Sequence, residues 1–82
     1  MTYGQVKEII RDVCSPCTFN EIKKANKELK KLIGNVIVNM WKTEDALTTI
    51  EWYEIALSAD HEDTIMIGYD FWNRRIVEEG RV

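Results

Sequence analysis

Pro16, the only proline in the chain, stands between two helix-start signatures. Thr2-x-x-Gln5 and Thr18-x-x-Glu21 each place a hydroxyl at an N-cap and a carboxyl or amide three residues later. Each side chain can then satisfy a backbone N–H that the helix leaves unpaired. The residue before a proline is pushed out of the α region, so the first helix must stop near Cys14 and Ser15. Two helices meeting at "VCSPCTFNEI" are therefore expected. Met1 against Val6, and Cys17 against Ile22, are placed as hydrophobic staples at the two starts. Tyr3, Val6, Ile9, Ile10 and Val13 form one apolar stripe. Ile22, Ala25, Leu29, Leu32, Ile33, Val36, Ile37 and Met40 form the next, with Lys23, Lys27, Lys30 and Lys31 along its outer side.

Beyond Gly34-Asn35 the pattern admits two readings. "NVIVNMW" is rich in β-branched residues, yet the apolar spacing lets the second helix run to Trp41. Thr43 can cap a third helix, with Ala46, Leu47, Ile50, Tyr53 and Leu57 at helical spacing. Asp60 can cap a fourth, carrying Ile65, Tyr69, Trp72 and Ile76 and closing at Gly80. The same segments also alternate, Tyr53-Ile55-Leu57 and Ile65-Ile67-Tyr69-Phe71, as two strands of a hairpin do. Their connection "SADHED" lacks the Asn-Gly or Asp-Gly of tight turns. The expectation is therefore an all-α bundle of about four helices within one small domain, 1–82. The alternative is α+β, with two N-terminal helices followed by an antiparallel β-hairpin.

Charge divides the chain in two. Residues 1–42 carry eight Lys and Arg against four Asp and Glu, or +4; residues 43–82 carry three against ten, or −7. The halves should attract each other, within one molecule or between copies, and a homo-oligomer is an expectation of this kind. With 45% hydrophobic residues the chain is too apolar to be disordered. No apolar run approaches a membrane span, and the N-terminus lacks a signal-peptide core, which implies the cytoplasm. There, both cysteines are expected to stay reduced.

Signals for chemistry are sparse. Cys14-x-x-Cys17 has the spacing of a disulfide-exchange motif, but it follows a predicted helix instead of a strand. Helix capping explains the same residues. A zinc site would need four donors, and His61 is the only histidine. His61 lies among acids in "DHED", as a solvated helix start does. No phosphate loop, nucleophile elbow or H-E-x-x-H is present. These residues imply neither catalysis, nor a cofactor, nor a metal.

Two features bear on partners. The ridge Lys23, Lys27, Lys30 and Lys31, with Trp41 able to stack, could hold a nucleic-acid backbone, although Glu21 and Glu28 dilute it. The aromatics are more suggestive. Trp52 and Tyr53 are neighbours, as are Phe71 and Trp72, and neighbours cannot point the same way in a helix or a strand. Trp41, Trp52, Tyr53, Phe71 and Trp72 are therefore candidate partner-binding residues, and a groove lined by the last four could take an amphipathic segment. The reading is a non-enzymatic, protein-binding regulatory module; the alternative is a small nucleic-acid-binding regulator using residues 23–31.

Through "MTYGQVKEIIRDV", "TFNEIKKANKELKKLIGN" and its full length, the chain resembles the lysis-inhibition accessory proteins of T-even phages. The resemblance implies a non-enzymatic factor of the host cytosol. Such a factor binds the cytosolic part of the phage holin and acts with the antiholin to delay lysis. It transfers no binding residues.

Overall fold

The computed structural model describes residues 2–60 and 62–81. Helix α1 spans Tyr3–Cys14, a single 3-10 turn spans Phe19–Glu21, and helix α2 spans Ile22–Ile33. Four strands follow: β1 Ile37–Glu44, β2 Thr49–Ala56, β3 Thr64–Asp70 and β4 Arg75–Arg81. They form one antiparallel sheet in the order β1-β2-β3-β4, so every connection joins neighbours.

Both helix starts are as the sequence dictates. Thr2 caps α1 in a complete capping box, with Gln5 N–H donating to Thr2 Oγ1 at 3.2 Å. The Glu21 carboxylate accepts from Thr18 N–H at 2.9 Å. The Met1 staple and the His61 reading lie outside the described residues. Val6, Ile10 and Cys14 of α1, and Ala25, Leu29 and Ile33 of α2, are buried. Each set repeats every four residues, which turns one stripe per helix toward the sheet.

The all-α expectation is overturned from Gly34 onward. The molecule is α+β: α2 stops at Ile33 instead of reaching Trp41, and the third and fourth helices are strands. The expected pairing of the alternative hairpin is present as β2 with β3, which aligns Tyr53 with Ile67 and Ile55 with Ile65. That hairpin is only the middle of a four-stranded sheet.

The reason lies in what each strand buries. Along β2, Glu51, Trp52 and Tyr53 are all buried in succession, as are Ile55 and Ala56. A central strand whose outer side chains are shielded by their own sheet neighbours, as Trp52 is by Trp41, loses the in-out alternation that marks a strand. Helical spacing can then be read into it, and local preference yields to tertiary packing.

The turns are built by short polar side chains in place of glycine. Asp45 Oδ1 accepts from Leu47 and Thr48 N–H at 2.8 and 2.9 Å between β1 and β2. Asp60 and Ser58 organise the β2–β3 loop, where Ser58 Oγ accepts from Asp63 N–H at 3.2 Å. Asp70 Oδ1 accepts from Trp72 and Asn73 N–H, and Arg74 takes φ 53 to complete the last reversal. Such Asx turns close hairpins without an Asn-Gly pair.

The helices cover one face of the sheet. Tyr53, Ile55, Ile65, Ile67, Tyr69 and Phe71 meet Val6, Ile10, Cys14, Ala25, Leu29 and Ile33 there in one core. Helix α1 lies over β3 and β4 and against α2. No helix among the described residues is long and apolar enough to cross a membrane.

Candidate functional site

The strand periodicity separates the five candidate aromatics. Tyr53 and Phe71 point into the core beneath the helices, at 0% and 3% exposure, and Phe71 meets Tyr69 edge-on at 4.9 Å. Trp41 and Trp52 are cross-strand partners on the opposite, outer face. Trp72 lies in the β3–β4 turn, 59% exposed, and stacks on Phe19 at 4.7 Å. The expected groove of Trp52, Tyr53, Phe71 and Trp72 therefore does not form, because Tyr53 and Phe71 face away from Trp52.

The outer face instead gathers a different set. Trp41 and Trp52 stack with ring centroids 6.4 Å apart and planes 18° from parallel. Trp52 Nε1–H donates to Thr43 Oγ1 at 2.8 Å, which satisfies the one polar atom of the indole and fixes the ring's orientation. On β3, Gly68 lies directly opposite Trp52. A Cβ at Gly68 would stand 2.7 Å from Ile50 Cγ2 and 2.8 Å from Trp52 Cε3. The glycine is thus required by close approach, and the Trp52 ring lies over the space it leaves.

Trp52 is buried as a result, while Trp41, Ile50, Met66 and Val77 are half-buried around it. This apolar surface lies on the side of the sheet that neither helix covers. Two of its polar groups are already engaged. Thr64 Oγ1 donates to Glu54 Oε2 at 3.1 Å, and Asp70 holds the last turn. Burial alone would raise the Asp70 carboxyl, but hydrogen bonds, chiefly from Asn73, outweigh it and hold it below the usual carboxylate range.

On the helix side a chain of polar groups crosses the core. The Cys14 Sγ lies 3.9 Å from Tyr53 Oη. Tyr53 O–H donates to Asn26 Oδ1 at 2.8 Å, and Asn26 Nδ2 donates to Glu51 Oε1 at 2.9 Å. Burial pushes the Cys14 thiol up to about 12 and the Tyr53 hydroxyl well above its ordinary value. It also raises the Glu51 carboxyl, against the opposing influence of Asn26 and Lys42.

Cys14 is consequently a neutral, inert thiol, and it sits at a helix C-terminus, where the dipole disfavours a thiolate. The half-buried Cys17 donates from Sγ to Val13 O at 3.4 Å, so the C-x-x-C spacing serves the helix junction. Among the described residues, no group of three or more His, Cys, Asp or Glu side chains is placed to hold a metal.

Of the basic ridge, Lys23, Lys27 and Lys30 border a groove between α2 and β1 whose floor is Asn26 and Glu51. Lys31 is exposed elsewhere on α2. Another hollow, lined by Thr2, Gly4, Gln5, Glu8 and Ile9, runs along α1, where Thr2 and Gln5 are engaged with each other in the cap and Glu8 pairs with Arg11. Comparison with protein-family models, curated proteins and solved structures finds no match.

Proposed function

We propose that the chain is a non-enzymatic regulatory module that binds a protein segment across the outer face of its sheet. The observation that carries this reading is the stacked Trp41–Trp52 pair on a sheet face no helix covers. A rigid aromatic anchor in an apolar surround, with the Trp52 Nε1–H already bonded to Thr43, is what binding hot spots are made of. Ile50, Met66 and Val77 extend the contact, and Met66 adapts to an incoming side chain.

Charge argues for the kind of segment. Residues 43–82, which form most of the sheet and its loops, carry −7. Cytosolic segments flanking membrane helices are rich in Lys and Arg, so such a segment complements this half of the molecule. This agrees with the resemblance to the phage lysis-inhibition proteins, in which the partner is the cytosolic part of a holin and the outcome is delayed lysis. The module would then act from the cytoplasm, alongside the antiholin.

The test is a calorimetric titration of the chain with a purified peptide of the holin's cytosolic segment. The reading expects saturable binding that Trp41→Ser weakens by roughly tenfold or more, as loss of a hot spot does. It expects Trp72→Ser, on another side of the molecule, to leave binding intact. Absence of binding, or equal affinity with and without Trp41, refutes it.

A further inference from the structure

The groove between α2 and β1 lies on the helix-covered side of the sheet, away from the tryptophan pair. Lys23, Lys27 and Lys30 stand about one turn apart along its α2 rim. None of the three forms an ion pair among the described residues. Asn26 and Glu51 make the floor, and Met40 closes one end of a space of about 400 Å³. A second hollow of about 510 Å³ shares Lys23, Asn26 and Glu51 and continues past Ile22 and Phe19 to Lys42. Spaces of this size accommodate small-molecule ligands.

The floor is chemically incomplete. Glu51 is only 7% exposed, and its Oε1 accepts from Asn26. Its Oε2 is buried with no hydrogen-bond partner. Native proteins seldom leave such an atom unpaired. Nor is Asn26 free to turn its amide to serve it. Tyr53 O–H is donated to Asn26 Oδ1, so Nδ2 is committed to Oε1. Glu51, at the base of a space rimmed by three unpaired ammonium groups, thus carries a spare acceptor.

We propose that this groove binds a small phosphate-bearing ligand of mononucleotide size. Lys23, Lys27 and Lys30 hold its phosphate, and Glu51 Oε2 accepts an N–H donor from its base. Lysine ammonium groups bind phosphate as point charges. A carboxylate accepts from the amino edge of a base. Met40, Ile22 and Phe19 offer apolar walls to a flat ring. Oε2 is shielded in the unliganded protein, so occupancy shifts side chains at the floor. Asn26 is a positioning residue, acting through Glu51.

The experiment titrates the isotope-labelled chain with the four ribonucleoside 5′-monophosphates, the matching nucleosides, inorganic phosphate and a short oligoribonucleotide. Amide shifts are read along α2 and at the Asn26 side chain. At least one monophosphate is expected to bind tenfold or more tightly than its nucleoside and than phosphate. Lys23→Glu with Lys27→Glu should weaken it by roughly tenfold or more. Glu51→Gln should weaken the nucleotide by about tenfold and leave inorganic phosphate unchanged. Lys23 and Lys27 are exposed, so the first variant reports even where Glu51→Gln fails to fold.

Three results overturn the proposal. One is absence of shifts up to about 10 mM ligand, weaker than any functional affinity. Another is nucleotide binding indifferent to Glu51→Gln in a folded protein. The last is binding of the oligonucleotide alone, with steep salt dependence, which would make the ridge a backbone-tracking surface.

Discussion

Replacing Gly68 with alanine adds one methyl group in the middle of β3 and should destabilise the protein. In an ordinary strand the change is favourable by about 0.4–1 kcal/mol, because alanine restricts the unfolded chain. Here the new Cβ would stand 2.7–2.9 Å from Ile50 Cγ2 and two ring atoms of Trp52. Reaching ordinary contact at 3.4 Å requires those atoms to retreat by about 0.5–0.7 Å. Trp52 is held by its stack on Trp41 and by its bond to Thr43, so the ring cannot slide without loosening both. Overpacking of this kind costs about 1–3 kcal/mol.

The net effect is a loss of about 1–2 kcal/mol, or about 4–16 °C in Tm for a domain of this size. Urea denaturation followed by tryptophan fluorescence measures it, and Gly4→Ala is the internal control. A Cβ at Gly4 meets nothing closer than Thr2 Oγ1 at 4.0 Å, so that variant should gain about 0.4–1 kcal/mol. In a Trp52→Leu background the cost of Gly68→Ala should fall by at least about 0.5 kcal/mol, since neighbouring sites couple. A stabilised Gly68→Ala, or a cost unchanged by Trp52→Leu, would refute the argument that Trp52 fills the space above Gly68.

Other consequences follow from the buried polar groups. Asn26→Ala leaves Glu51 Oε1 without a partner and the Tyr53 hydroxyl with only the Cys14 thiol at 3.9 Å, and should cost about 2–3 kcal/mol, read by thermal denaturation. The folded-state Glu51 carboxyl lies above its ordinary 4.5, chiefly through burial, so its contribution is fully present below that value and is lost as pH rises through the raised one. Urea denaturation at stepped pH should show that loss in the native chain and not in Glu51→Gln. Asp70 has the opposite sign. Its lowered carboxyl contributes above the ordinary 3.8 and the contribution is lost as pH falls through the folded value, so Asp70→Asn should blunt acid destabilisation. Thiol titration of the native protein should modify Cys17 alone, with Cys14 reacting only after denaturant is added, because Cys14 is fully buried.

What the residues disclosed by themselves depended on how local the determinant was. Thr2-Gln5, Thr18-Glu21 and Pro16 act within a few residues, and both helix starts and the break between them could be read directly. The sheet depends on partners far away in sequence. Glu51 occupies a core-facing strand position because Asn26 of α2 supplies its hydrogen bond. Without that knowledge a glutamate before Trp52 and Tyr53 looks like the polar face of a helix.

The candidate site was legible to a similar extent. The aromatics were visible, but only the pairing of Trp41 with Trp52 shows which belong together, and only alternation sends Tyr53 and Phe71 into the core. Gly68, within the alternating strand run "TIMIGYDF", was the signal for a close approach on the outer face. The Lys23-Lys27-Lys30 ridge was visible as well. Its counterpart Glu51 was not, since no spacing rule connects residues on α2 and β2.

The central claim is that the tryptophan face of the sheet is where a partner binds. The most direct measurement is an NMR titration of the labelled chain with the holin's cytosolic peptide, following backbone amides of β1, β2 and β3 together with the three indole N–H signals. Shifts concentrated at Trp41, Trp52, Ile50, Met66 and Gly68, with the Trp72 indole unmoved, are the predicted result. Shifts confined to α2 and the Phe19–Trp72 corner, or none at saturating peptide, would contradict the account.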